Sequence, residues 1–120
     1  YEQWVGIDDF TLTYNAIVNK LKQHTTNIVL VSTVYLDEKY FPNSNNEYEQ
    51  FNEAIVDISR KYGAYYVDLY GVIKNHIEKT GEWESFYLKD HFHPNTKGYE
   101  IIAELFAEYI LRGENNVKNK

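Results

Sequence analysis

The sequence predicts an α/β fold: a three-layer α/β/α sandwich around a parallel sheet. Three observations lead there. Helix-period and strand-like segments alternate in the order helix, strand, helix, strand, helix. The strand-like segments are short apolar runs without polar alternation, as expected of strands covered on both faces. A helix lies between them, so the crossover leaves the two strands parallel.

Residues 1–7 have no clear period and read as a loop. Asp8 and Asp9 then offer N-cap carboxylates, and Phe10, Tyr14, Ile17, Val18 and Leu21 follow at helical spacing. This helix should end near Gln23, where Thr25, Thr26 and Asn27 interrupt it. Ile28, Val29, Leu30 and Val31 form the first strand. Residues 34–46 are a long connection rich in Tyr, Asp, Pro and Asn, and Ser44 with Glu47 makes a capping box at its end. Tyr48, Phe51, Ile55, Ile58 and Tyr62 mark one face of a second helix, with Gly63 placed to stop it. Glu47, Glu49, Glu53, Asp57 and Lys61 form its solvated face.

The second strand runs from Tyr65 to Leu69, with Asp68 as a capping or turn residue. A shorter helical stretch over residues 71–78 and a loop with Gly81, Trp83, Phe86 and Tyr87 come next. After Pro94, Asn95 or Thr96 can cap the last helix, whose apolar face reads as Tyr99, Ile102, Ala103, Phe106, Tyr109 and Ile110. Gly113 should end it, so residues 1–113 belong to one domain and residues 114–120 to a polar tail. His24 and His76 read as structural, at a helix end and on a polar face.

Composition narrows the function classes. The net charge of −6 and the lack of a basic cluster argue against a nucleic-acid partner. No apolar stretch approaches the ~20 residues of a membrane-spanning helix. The absence of cysteine excludes disulfides, thiolate catalysis and thiolate zinc sites, and leaves the compartment open. Two strands alone make a poor sheet. Because the chain starts at Tyr1 and shows no signal peptide, the expectation is the C-terminal part of a doubly wound domain. Roughly 80–100 preceding residues would carry the other strands.

The chemistry concentrates in residues 88–99, where Asp90 and His93 stand three residues apart before a capped helix. Loops of this kind hold the sites of α/β sheets. Pro94 fixes its own φ and biases His93 toward extended backbone, which makes the exit direction of the imidazole reproducible. Asp90 can take the proton on one ring nitrogen, leaving the other as a base for a hydroxyl. His91 should point to the opposite side of an extended segment, as a rim residue. Asp90, His91 and His93 could in principle gather round zinc, but a third or fourth ligand and a second shell are not evident. Several aromatics fall in loops, among them Tyr1, Trp4, Tyr35, Tyr40, Phe41 and Trp83. Tyr35 and Trp83 are candidate substrate platforms, since aromatic faces can stack on sugar rings.

Asp-x-x-His-Pro-Asn followed by x-x-Gly-Tyr and an apolar helix resembles the last conserved block of GDSL/SGNH hydrolases. Phe10, Tyr14 and Ile17 with the strand at 28–31 resemble the helix and strand after that family's third block, and Tyr62-Gly63 through Leu69 the strand toward its final loop. The resemblance implies a flavodoxin-like SGNH fold and an esterase, lipase or acetylesterase activity without cofactor. It implies Asp90 and His93 as the acid–base pair, acting on a small ester or acylated glycan. The family's nucleophile block, Gly-Asp-Ser-Leu-like, is not present, and Ser32, Ser44, Ser59 and Ser85 lack its context. Gly6-Ile7-Asp8-Asp9 looks superficially like the Gly-x-Asn-Asp block, but a helix would follow almost without a loop, and a carboxylate would repel a developing oxyanion. The serine is therefore expected upstream of Tyr1, and the chain alone inactive. The alternative is a truncated or degenerate α/β module that binds a partner or glycan. Pairing with a missing N-terminal half, or with a second copy, would cover the open strand edge.

Overall fold

A computed structural model describes residues 6–118, with side chains through Leu111; Tyr1 and Trp4 lie outside the described residues. Helix α1 spans Ile7–Lys22, strand β1 Val29–Val31, helix α2 Ser44–Tyr62 and strand β2 Tyr65–Val67. Helix α3 spans Leu69–Thr80, a 3-10 turn Trp83–Ser85, and helix α4 Thr96–Lys118. The two strands pair in parallel, with Val29 opposite Tyr65 and Val31 opposite Val67.

Alternation along β1 divides the core in two. Leu30 joins Val18 of α1 and Ile55 and Ile58 of α2 on one side of the sheet. On the other side, Val31 and, from α4, Ile101, Ile102 and Leu105 pack against a cluster of Leu69, Ile73 and Ile77 of α3 with Phe86. The sheet therefore lies between α1 and α2 on one face and α3 and α4 on the other. This is the three-layer α/β/α sandwich read from the alternation of elements.

Several local expectations are corrected. Gly6, not Asp8 or Asp9, caps α1; the two carboxylates sit in its first turn, where they favour the positive end of the helix dipole. Ile17 is 54% exposed and Leu21 45% exposed, so the buried stripe of α1 narrows to Phe10, Tyr14 and Val18. Val29 is likewise exposed, and β1 is covered less evenly than an apolar run suggests.

The capping box at Ser44 does not form. Asn43 is the N-cap in the left-handed region, and Ser44 is already buried within the helix. The other end of α2 follows its sequence: Gly63 is left-handed, and its N–H reaches the carbonyls of Ser59 and Arg60. Asp68 leaves β2 early and caps α3 by accepting the Gly71 N–H at 3.0 Å, so that strand is shorter and that helix longer than their residue patterns imply.

In α4 the buried face turns toward Ile101, Ile102 and Leu105, leaving Tyr99, Ala103 and Ile110 exposed. The backbone remains helical past Gly113 to Lys118, so helix replaces most of the expected tail. A single glycine near a helix end costs only about 1 kcal/mol relative to alanine, too little to stop the helix by itself. No helix among the described residues is long and apolar enough to cross a membrane.

Polar residues on the buried face of α2 organise the long connection between β1 and α2, residues 32–43. Buried Asn45 accepts the Leu36 N–H at 2.9 Å and donates to the Leu36 carbonyl at 2.6 Å. Asn52 accepts the Thr33 N–H at 2.8 Å. A loop that would otherwise bury unpaired backbone is thereby fixed against the helix that follows it.

Candidate active site

Residues 87–94 form a tight excursion between the 3-10 turn and α4. Tyr87 and Pro94 close its base as an antiparallel bridge, and the Leu88 N–H donates to the His93 carbonyl at 2.8 Å. Asn95 anchors the exit. Its Oδ1 accepts the Gly98 N–H at 2.8 Å as an N-cap, while its Nδ2 donates to the Glu84 carbonyl at 2.7 Å. Gly98 lies against the Phe86 backbone; a Cβ there would fall 2.4 Å from the Phe86 carbonyl oxygen. The glycine of the x-x-Gly-Tyr pattern thus lets α4 approach the strand-like segment before the loop.

Asp90 and His93 meet at the tip. One carboxylate oxygen, Oδ1, accepts the N–H groups of Phe92 and His93, each at 2.9 Å. The other, Oδ2, lies 2.6 Å from Nδ1 of the His93 ring. The hydrogen bond with the imidazole, followed by the two backbone N–H groups, holds the Asp90 carboxyl well below the usual carboxylate range. Asp90 is therefore an anion that fixes the ring and its tautomer. With Nδ1 engaged, Nε2 is the nitrogen left to exchange a proton with a reacting group. The imidazole is 63% exposed, so such a group can reach it from solvent.

His91 does not continue an extended strand. Its φ of 61° turns the chain at the tip, and its ring stacks on Tyr40 with centroids 3.6 Å apart and planes 9° from parallel. Phe92 reaches the ring of Phe41 at 5.7 Å and meets the His93 ring edge-on at 5.2 Å. Tyr40 and Phe41 are visible in the sequence only as loop aromatics; their partners depend on how the two loops converge.

Tyr35 and Trp83 come together as well. Their rings stack at 5.5 Å, and both lean on the core around Ile73 and Phe86. They line a cavity of about 460 Å³ with Glu49, Lys74 and Tyr70. Trp83 also borders a neighbouring cavity of about 440 Å³ with Leu88, Lys89 and His91. Neither cavity is lined by Asp90 or His93. The Tyr35 carbonyl accepts the Tyr87 hydroxyl at 2.6 Å, and burial pushes that phenol's pKa up, so it remains a donor.

Outside this region, His76 accepts or donates a 2.9 Å bond with Ser85, consistent with its structural reading. Glu49, counted with the solvated face of α2, accepts the hydroxyl of buried Tyr70 at 2.7 Å.

The fold is shared with solved hydrolases. An acetyl-xylooligosaccharide esterase from Geobacillus stearothermophilus, Axe2, superposes in a mutant form with a TM-score of 0.77 at 21% identity, over 89% of this chain and 48% of the esterase. A lipase/acylhydrolase from Enterococcus faecalis gives 0.77 at 14% identity, over 91% of this chain and 53% of the other. LAE5, an alpha/beta hydrolase enzyme from the metagenome of Lake Arreo in Spain, gives 0.76 at 15% identity, over 88% and 47%. The chain spans about half the length of these structures. No curated protein matches it. The sequence profile of the GDSL-like Lipase/Acylhydrolase family covers residues 2–101, which takes in the first helix, both strands and the Asp90–His93 loop. By that match, carried on the fold just described, the chain belongs to the GDSL-like lipase/acylhydrolase family.

Proposed function

We propose that this chain supplies the acid–base pair of a serine carboxylester hydrolase. Asp90 and His93 serve a nucleophilic serine that lies upstream of Tyr1. The observation carrying this reading is the 2.6 Å contact between Asp90 Oδ2 and His93 Nδ1 on an exposed loop within the family match. One further support is that a solved form of Axe2 is a catalytic mutant in which a histidine is replaced by alanine.

In this mechanism the serine hydroxyl attacks the acyl carbonyl while His93 Nε2 takes its proton. The tetrahedral intermediate collapses as the same proton passes to the leaving alcohol, and the acyl group remains on the serine. Water then repeats the sequence: His93 accepts its proton, the acyl–serine bond breaks, and the proton returns to the serine. Asp90 stays ionised throughout and stabilises the imidazolium. An acylated glycan is the proposed substrate class, by analogy with the acetylated oligosaccharide named for Axe2. Tyr35 and Trp83 are proposed as platforms for its sugar units, because their stacked rings border cavities beside the Asp90–His93 loop.

A fluorophosphonate probe applied to the full-length natural protein tests the reading. A labelled serine upstream of Tyr1 is the expected result. Replacing Asp90 by Asn should lower turnover roughly 10³–10⁴-fold, as for acid removal in other triads, a far larger loss than the one in stability. A folded full-length protein without labelling would instead favour a non-catalytic binding module.

A further inference from the structure

The tip that carries Asp90 and His93 is joined at its base by the Tyr87–Pro94 bridge, and its outer side is exposed. A hairpin-like excursion held only at its base keeps considerable freedom. Yet two consecutive residues of the tip meet two consecutive residues of the connection between β1 and α2. His91 lies flat on Tyr40, and Phe92 leans on Phe41. The connection is a firm support. Tyr40 and Phe41 both donate their N–H groups to the Asp37 carbonyl at 3.0 Å, and Asn45 clamps neighbouring Leu36. Lys39 also places its ammonium 5.6 Å from the Tyr40 ring centre.

His91 adds an independent observation. Its φ of 61° is a backbone conformation that bulky side chains rarely adopt and glycine adopts freely. Local turn geometry alone would favour glycine there. What a histidine contributes that glycine cannot is the ring lying on Tyr40.

From this juxtaposition, we infer that Tyr40 and Phe41, paired with His91 and Phe92, form an aromatic strap that positions the Asp90–His93 pair without touching the reacting atoms. The strap acts through the chain: Phe92 lies between the two histidines and meets the His93 ring edge-on. The amides of Phe92 and His93 both bond Asp90 Oδ1, so the tip moves as one unit and its displacement would carry the Asp90–His93 pair away from the group it serves. Misplacement of an acid–base group by about 1 Å can cost on the order of a hundredfold in rate. A strap limiting such excursions would appear in turnover more than in substrate binding. This inference rests on the acid–base role proposed above.

The test compares Tyr40→Ala, Tyr40→Phe and His91→Gly in the full-length protein. Tyr40 is 47% exposed, so its truncation leaves the core intact. Hydrogen exchange at the Phe92 and His93 amides reports the tip directly, whatever the protein catalyses. Tyr40→Ala should speed exchange roughly two- to tenfold, the range expected for losing one aromatic pair, while Tyr40→Phe should stay within about twofold of wild type. His91→Gly should also speed exchange, although it relieves the backbone. Ester turnover should fall about tenfold in Tyr40→Ala, with KM changed by less than about twofold.

Unchanged exchange in Tyr40→Ala, or a tip better protected in His91→Gly than in wild type, would overturn the strap. Faster exchange with unaltered kcat would overturn its positioning role. Should Asp90→Asn and His93→Ala leave turnover intact, the catalytic reading falls instead, and the exchange data still decide whether the strap holds the tip.

Discussion

The carboxylate of Asp90 accepts three hydrogen bonds within four residues of chain, two from backbone and one from an imidazole. All three favour its charged form, and little burial opposes them. The sign follows directly. A carboxyl whose folded pKa lies below its unfolded value contributes stability above the unfolded value, and loses it as pH falls through the folded value. The ¹³C resonance of the Asp90 carboxyl should therefore titrate well below the ordinary value of about 3.9. Lowering the pH from 7 to about 4.5 should leave the Asp90–His93 contact in place. Titration of Asp90 near the ordinary value would contradict the geometry. A second single-atom argument concerns Gly98. A methyl group there meets a backbone carbonyl at 2.4 Å and Pro94 Cβ at 3.0 Å, and neither can swing away as a flexible side chain would. Gly98→Ala should lower stability in urea by about 1–3 kcal/mol, the usual range for overpacking.

Larger pieces show a division of labour between α2 and the segments beside it. Apolar residues of α2 fill the core on one side of the sheet, whereas Asn45 and Asn52, also buried, hold the backbone leaving β1. Asn45→Ala would leave both the N–H and the carbonyl of buried Leu36 without their partner. Chemical denaturation should register about 1–3 kcal/mol for each group left unpaired. Asn45→Asp, which keeps the acceptor and loses the donor, should lose less. Because the same connection carries Tyr40 and Phe41, Asn45→Ala should also loosen the Asp90–His93 loop, which exchange at the Phe92 amide would detect. These roles are hard to read from residue order. Asn at a helix start ordinarily suggests a cap, and here the cap is Asn43 while Asn45 faces inward.

The assembled chain has a two-stranded sheet among its described residues, and apolar side chains stand exposed on α1 and β1, including Leu12, Ile17, Leu21 and Val29. Open strand edges and uncovered apolar residues favour association. Gel filtration of the 120-residue chain by itself is expected to show paired or larger species, and a monodisperse 14.2 kDa monomer would argue against that expectation. Adding a polypeptide that supplies the neighbouring strands should return the chain to a defined complex. The same arrangement places the Asp90–His93 loop and the connection between β1 and α2 side by side, although they are some fifty residues apart in sequence.

Periodicity made the layered α/β architecture legible, because apolar residues recurring every three to four positions, or in short runs, must find a buried face whatever their partners. Chain-local chemistry was legible as well. Asp90 and His93 lie three residues apart, Asn95 three before Gly98, and Asp68 three before Gly71, so turn geometry alone nearly decides those contacts. Other features depended on the packed molecule: which side of α4 is buried, the inward turn of Asn45, the stacking of Tyr35 on Trp83, and the stacking of His91 on Tyr40. The reason is range. A hydrogen bond across three residues is set by a few backbone angles, whereas contacts between distant segments exist only after the layers have docked and one arrangement of side chains has excluded the others.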